Sequence, residues 1–218
     1  MKYYPVSLNL SGRSCVVVGG GEVAERKIRR LLDSDADVLV VSEKLTSGLE
    51  ELRDKGKISH AAVMYQPTYL QGAFLVFGTT DDAEVNGRIF KDARKRGIPV
   101  NIADDPEHCD FILPSLAAQG DLQIAVSTAG KSPALARLIR KEIESLYGPE
   151  YAVYLMILGD LRKKVLSGGH PAQENKKIFE DIIHSDILDK IRSGDRSAVR
   201  QLVSAIAGVD LDLERYMP

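Results

Sequence analysis

Residues 14–24 read SCVVVGGGEVA: a short run of β-branched residues, three glycines, then the start of an amphipathic pattern. An apolar run without alternation is what a strand covered on both faces requires. The apolar positions that follow, Val23, Ala24, Ile28, Leu31 and Leu32, recur at helical spacing. Strand, glycine turn and helix in that order place Gly19, Gly21 and Ala24 in a G-x-G-x-x-A pattern. In such a unit the first glycine permits the tight turn. The second lets a pyrophosphate approach the backbone, and the small third residue lets the helix lie close to the sheet. The backbone N–H groups of Glu22 and Val23, at the helix N-terminus, are then placed to receive phosphate oxygens. Glycines that merely turn the chain are the alternative, and the flanking strand and helix argue against it.

The same alternation continues. Strands are expected at 37–42, 58–65, 73–80 and 98–103, and helices over 45–56 and 82–97, the last two stopped by Gly56 and Gly97. Strands alternating with helices through short links imply a parallel, doubly wound sheet, an α/β domain of Rossmann type. The second strand ends VVSEK. Ser42 stands where a ribose-binding acid is usual, with Glu43 one residue later. Glu43 on the ribose hydroxyls favours NAD, whereas Ser42 and Lys44 are compatible with a 2′-phosphate. The fourth strand ends FGTTDD, which brings Thr79 and Thr80 to the carboxyl edge as ribose contacts and offers Asp81 as the cap of the next helix.

After Pro114 the pattern changes. A strand at 121–128 precedes a helix over about 133–147, with Ser132 as cap and Pro133 in its first turn. From 150 to 218 the periodicity is helical only, with breaks at 167–171 and 193–195. The expected organisation is an α/β domain over 1–113, a strand–helix segment over 114–149 and a small all-helical domain over 150–218.

A chain of 218 residues can bury the core such a domain needs. Its net charge of −2 provides no basic field, so a nucleic-acid partner is not expected. Two cysteines without C-x-x-C spacing, Cys15 and Cys109, fit a reducing cytoplasm better than a disulfide scaffold. Residues 1–14 lack a signal-peptide core, and no segment reaches the roughly 18 apolar residues of a membrane span. A soluble, cytoplasmic protein is expected.

The stretches VVVGGGEVAERKIRRLL, TTDDAEVN, NIADDPEHCDFILPS and QIAVSTAGKSPALARLIRKEIE share the order and spacing found in precorrin-2 dehydrogenases. The chain resembles that family, which includes the N-terminal module of sirohaem synthase, over roughly residues 1–150 and more loosely beyond. The resemblance implies NAD-dependent oxidation of precorrin-2 to sirohydrochlorin. In many members ferrous iron is then inserted in the same cleft to give sirohaem. It also implies a homodimer, with 114–149 as dimerisation segment and clefts using residues of both chains. The uroporphyrinogen methyltransferase module of the longest members does not follow within these 218 residues, so methyl transfer is not expected.

On the resemblance, Asp104 is the residue of the chemistry. Desaturating the ring moves a hydride to the nicotinamide and a proton to a base, and a carboxylate at a strand's carboxyl end suits that base. Metal insertion releases pyrrole protons to the same group. Asp105, before Pro106, is expected to shape the turn. Asn101 is expected to position cofactor or substrate, closure of the strand end being the alternative. For the substrate's carboxylates, Ser127, Thr128 and Lys131 of STAGKSP precede a helix N-terminus. His108 has no second ligand at metal spacing, so a turn histidine is preferred to an iron ligand and no resident metal is expected. His60, His170 and His184 are scattered and receive no role. The competing readings are a non-catalytic NAD-sensing Rossmann module, and a generic dehydrogenase for which no Tyr-x-x-x-Lys pair is found.

Overall fold

The computed structural model describes residues 2–169 and 171–217, so His170 lies outside the described residues. The chain divides into two compact units, Met1–Leu113 and Pro114–Pro218.

In the first unit, strands β1 (Ser14–Val18), β2 (Asp37–Val41), β3 (Ser59–Ala61), β4 (Leu75–Gly78) and β5 (Val100–Ile102) alternate with helices α1 (Glu22–Leu32), α2 (Ser47–Asp54) and α3 (Ala83–Lys95). The strands form one parallel sheet in the order β3-β2-β1-β4-β5. The order reverses between β1 and β4, which opens a crevice at their carboxyl ends.

The two-residue pleat divides each strand between two cores. Cys15, Val17, Val38, Val40 and Phe77 pack with Ala24, Ile28 and Leu31 of α1 and Leu49 of α2. Val16, Val18, Val41, Val76, Val100 and Ile102 pack with Ile89 and Ala93 of α3, Tyr65 and Leu70. Burial pushes the Cys15 thiol up to about 11, so it behaves as a small apolar group. The third strand is shorter than expected. After Ala61 the chain turns, Val63 N–H donating to Ala61 O at 2.9 Å, and leaves Val63 and Met64 exposed before a 3₁₀ turn at Pro67–Leu70. The cap of α3 also differs from expectation. Asp82, not Asp81, accepts from Glu84 N and Val85 N, because the carboxylate must stand immediately before the first helical residue.

In the second unit, β6 (Ser115–Gln119) and β7 (Leu122–Val126) form an antiparallel hairpin about Gly120, whose φ is +57°. Only β7 was expected. The Leu-Ala-Ala of β6 has little strand propensity and takes its conformation from its partner. Helix α4 (Pro133–Leu146) begins as expected, Ser132 Oγ accepting from Leu135 N at 3.2 Å. Helices α5 (Glu150–Ser167), α6 (Ala172–His184), α7 (Ile187–Arg192) and α8 (Arg196–Ala207) enclose Ile157, Leu161, Ile182, Ile187, Val199 and Val203. Gly194 at φ +72° makes one of the expected breaks in the helical stretch. None of the helices of the described residues is long and apolar enough to cross a membrane.

Candidate functional site

The β1–α1 turn is shaped by what its glycines leave out. Gly19 has φ +118°, and a Cβ there would lie 2.5 Å from Thr79 Oγ1 and 2.8 Å from Thr79 O. A Cβ on Gly20 would sit 2.0 Å from the carbonyl oxygen of Lys44. A Cβ on Gly21 would meet nothing within 4 Å. The first two glycines therefore let protein backbone close in, and the third keeps space open at the start of α1. No side chain caps that helix start. Uncapped N–H groups at Gly21, Glu22 and Val23, facing open space at the sheet's switch point, fit a dinucleotide pyrophosphate. Of the two acids in the first turn, Glu22 and Glu25, the second is turned aside: Glu25 accepts from Thr46 Oγ1 at 2.5 Å and from Arg29 at 2.6 Å. Those bonds, Thr46 first, hold its carboxyl below the usual range.

The β2–α2 loop lies against the glycines. Thr46 N–H donates to Gly20 O at 3.0 Å, and Ser42 Oγ donates to Lys44 O at 2.8 Å. Glu43 and Lys44 are exposed, whereas the Ser42 hydroxyl spends its proton inside the loop. At the end of β4, Thr79 is buried, its backbone N–H and its hydroxyl both donating to Val18 O at 2.8 and 2.9 Å. It ties β4 to β1 where the glycine turn begins, and only its acceptor lone pairs remain for a ligand. Thr80 Oγ1 donates toward Asp82 O and Asn86 Oδ1 at 3.1 and 2.8 Å, organising the start of α3.

The turn after β5 carries the aspartates. Asp104 is exposed and has φ +57°, a left-handed conformation that Asp tolerates better than most residues. Its neighbours are locked in place. Asp105 caps a 3₁₀ turn at Pro106–His108, accepting from His108 N at 3.3 Å, and its other oxygen lies 2.6 Å from His108 Nδ1. The His108 side chain holds the Asp105 carboxyl below its usual value. The His108 ring in turn packs edge-on to Phe90 at 4.6 Å. Cys109 Sγ accepts from Ile102 N at 3.2 Å and reaches the carbonyls of Ile102 and Asp105 at 3.2 and 3.1 Å, and burial raises its thiol. Asn101 is buried, with Nδ2 donating to Phe111 O at 3.0 Å and toward Cys109 Sγ at 3.4 Å. Its Oδ1 accepts from Lys27 Nζ at 3.0 Å. The amide thus closes the strand end, and both of its N–H groups are occupied by protein. Among the described residues no three His, Cys, Asp or Glu side chains gather as a metal site.

In the second unit, residues 127–132 form a tight loop with Ala129 at φ +53° and Gly130 at φ +81°. Ser127 Oγ accepts from Ala129 N at 3.1 Å. Thr128 Oγ1 accepts from Ser132 N at 3.1 Å and donates to Ser132 O at 3.0 Å, so it serves the loop rather than standing free. Lys131 is exposed, its backbone N–H donating to Thr128 O.

The family described as "Putative NAD(P)-binding" matches residues 6–115, and the family described as "Sirohaem biosynthesis protein central" matches residues 119–146. The chain belongs to this NAD(P)-binding family. Siroheme synthase of Methylobacillus flagellatus is 37% identical over 206 residues, which cover 94% of this chain and 44% of that protein. Siroheme synthase of Nitrosomonas europaea is 38% identical over 206 residues, covering 94% and 43%. The chain therefore spans less than half the length of these curated relatives. A solved structure described as SirC, precorrin-2 dehydrogenase, superposes with TM-score 0.77 at 26% identity, over 95% of this chain and 100% of that one. The span matched by the NAD(P)-binding family contains the glycine turn, Gly19 to Val23.

Sequence reasoning missed four participants. Gly20 stands at an x position of the pattern and received no role, although it is the one most closely overlaid by backbone. Gly48 leaves room for the Glu25 carboxylate: a Cβ there would lie 2.2 Å from Oε1 and would push that side chain aside. Lys27 and Cys109 act through contacts that no local pattern marks. A signal for Lys27 was nevertheless present: it is a charge one residue from Ile28 on the inward stripe of α1.

Proposed function

We propose that this chain is an NAD-dependent dehydrogenase that oxidises precorrin-2 to sirohydrochlorin in sirohaem formation, and that it acts as a homodimer in the cytoplasm. The observation that carries the reading is the pairing of two features at one sheet edge. One is a glycine turn with an open, uncapped helix start, and the other an exposed carboxylate, Asp104, held on a braced turn at the end of β5. NAD supplies the hydride acceptor when bound. Gly21, Glu22 and Val23 hold its pyrophosphate by backbone N–H groups, and Glu43 takes the ribose hydroxyls beside Lys44. Gly19 and Thr79 keep the turn closed beneath it, while Thr80 fixes the start of α3. Asp104 accepts the proton that leaves the ring as the hydride departs, which balances the removal of two hydrogens. Asn101 acts from below, by fixing the turn.

The substrate's carboxylates are met by the loop at 127–131, through the Ser127 hydroxyl proton and the Lys131 ammonium, with Thr128 shaping the loop. The Ala129 backbone, left-handed without being glycine, is the kind of local strain that binding loops retain. The dimer reading is supported by the segment 114–149, in which only Ala117 and Ala136 are buried while Leu135, Leu138, Leu146 and Tyr147 are exposed. The apolar side chains that this segment leaves exposed are the kind of surface a second copy would cover. Two free cysteines agree with a reducing compartment. Ferrous iron enters this reading as a second substrate, the two pyrrole protons it displaces leaving one at a time through Asp104 to solvent.

The test is an anaerobic assay with enzymatically generated precorrin-2 and NAD, followed at the NADH and sirohydrochlorin absorbances and repeated with ferrous iron. NADH appearing in step with sirohydrochlorin is the expected result, with metallation above background for the second activity. A protein that binds NAD yet forms no NADH would instead be the sensor module.

A further inference from the structure

The inner stripe of α1 is Ala24, Ile28 and Leu31, packed on the sheet. Lys27 lies beside that stripe, half-buried, with its Nζ 5.5 Å from the ring centre of Phe77 in β4 and 3.0 Å from Asn101 Oδ1 in β5. Burying an ammonium is unfavourable unless a partner repays it, and an apolar side chain would pack there without that cost. Burial lowers the Lys27 pKa, and the charge of Asp104 opposes the shift. Among the described residues the cation has no carboxylate at ion-pair distance, and its hydrogen bond goes to an amide oxygen. That amide is itself the hub of the β5 turn. Asn101 N–H groups reach Phe111 O and Cys109 Sγ, and Cys109 holds the backbone of Ile102 and Asp105 on both sides of Asp104.

We propose that Lys27 is a positioning residue for Asp104: it ties the helix whose start receives the cofactor phosphates to the strand whose end carries the base. The proposal rests on the dehydrogenase reading above. It adds a physical link between the two halves of the site that neither the glycine pattern nor the aspartate pair contains. Lys27 is less than two helical turns from Gly21, and Asn101 is three residues from Asp104. One hydrogen bond therefore joins helix α1 to the end of β5. Loss of the bond leaves the phosphate turn intact and frees the β5 turn to wander, and a misplacement of about 1 Å at a reacting group costs roughly 100-fold in rate.

The experiment compares wild type with Lys27→Met, Lys27→Gln and Lys27→Arg in NAD titration, in precorrin-2 turnover and in amide hydrogen exchange at residues 102–105. Lys27→Met is expected to bind NAD within about twofold of wild type and to keep its KM, while kcat falls about 10- to 100-fold. Exchange at 102–105 should accelerate, while exchange at 14–18 stays slow. Lys27→Arg, which keeps a cation with N–H donors, should recover most of the rate, and Lys27→Gln part of it. A wild-type kcat in Lys27→Met overturns the proposal. So does a joint fall of NAD affinity, kcat and melting temperature in both the Met and Gln variants, since that marks a residue of the fold alone. If wild type itself binds NAD but does not oxidise precorrin-2, the dehydrogenase reading fails. The Lys27 link is then decided by exchange alone: faster at 102–105 in Lys27→Met supports it, and unchanged removes it.

Discussion

The turn after β1 and the turn after β5 stand at the same edge of one sheet, and they are built in opposite ways. The first works by omission. Gly19 and Gly20 let the Thr79 and Lys44 backbones close in, and Gly21 leaves a space that nothing else occupies. The second works by addition. Asn101, Asp105, His108 and Cys109 fill it with side-chain bonds, and Asp104 stands outward at its start. A site that must admit a large anion needs bare backbone, whereas a site that must aim one carboxylate needs its neighbours fixed. The contrast separates binding from chemistry, and substitutions can pull the two apart.

The largest effect is expected where omission is structural. Gly20→Ala drives a Cβ to 2.0 Å from Lys44 O, an overlap with backbone that no rotamer relieves. It should destabilise the first unit by about 3 kcal/mol or more and abolish NAD binding with it, as thermal melting and titration would report. Gly21→Asp should dissociate the two properties. Its Cβ meets open space at an ordinary φ of −86°, so the melting temperature should hold. NAD affinity should fall at least about 100-fold, because a carboxylate then faces the pyrophosphate. If Gly21→Asp binds NAD normally, the phosphate assignment is wrong.

Smaller effects are expected at the second turn. The Asp105 carboxyl is held below its usual value by His108, so the folded state binds that proton less readily than the unfolded chain. Its stabilisation is full above the unfolded carboxylate value and fades as pH falls through the lower folded one. Wild type and Asp105→Asn should therefore differ in melting temperature at neutral pH and converge in acid, with salt narrowing the gap because the pair is partly exposed. A difference that persists unchanged in strong acid would place the stabilisation elsewhere.

The same contrast explains what the sequence revealed. Omission leaves a mark in the chain, since glycines between a strand and a helix are rare enough to read directly. So are the Ser132-Pro133 helix start and the alternation that gives the five-stranded sheet. Addition leaves little mark. Asn101 reads as a strand-end amide, and nothing local tells that Lys27, 74 positions away, holds its oxygen. Cys109 reads as a small apolar residue, although its sulfur braces three backbone groups. Thr79 reads as a ribose contact, yet its hydroxyl is spent on Val18. β6 was missed because its strand character comes from its pairing with β7 rather than from its own residues.

The most direct test of the account is Asp104→Asn, with NAD titration and precorrin-2 turnover measured on the same preparation. Asn keeps the left-handed backbone at φ +57° without the strain that Ala would add, and removes only the carboxylate. The account predicts wild-type NAD affinity with turnover reduced about 10²- to 10⁴-fold. Turnover equal to wild type would contradict it, because the braced turn would then be aiming a group that the chemistry does not use.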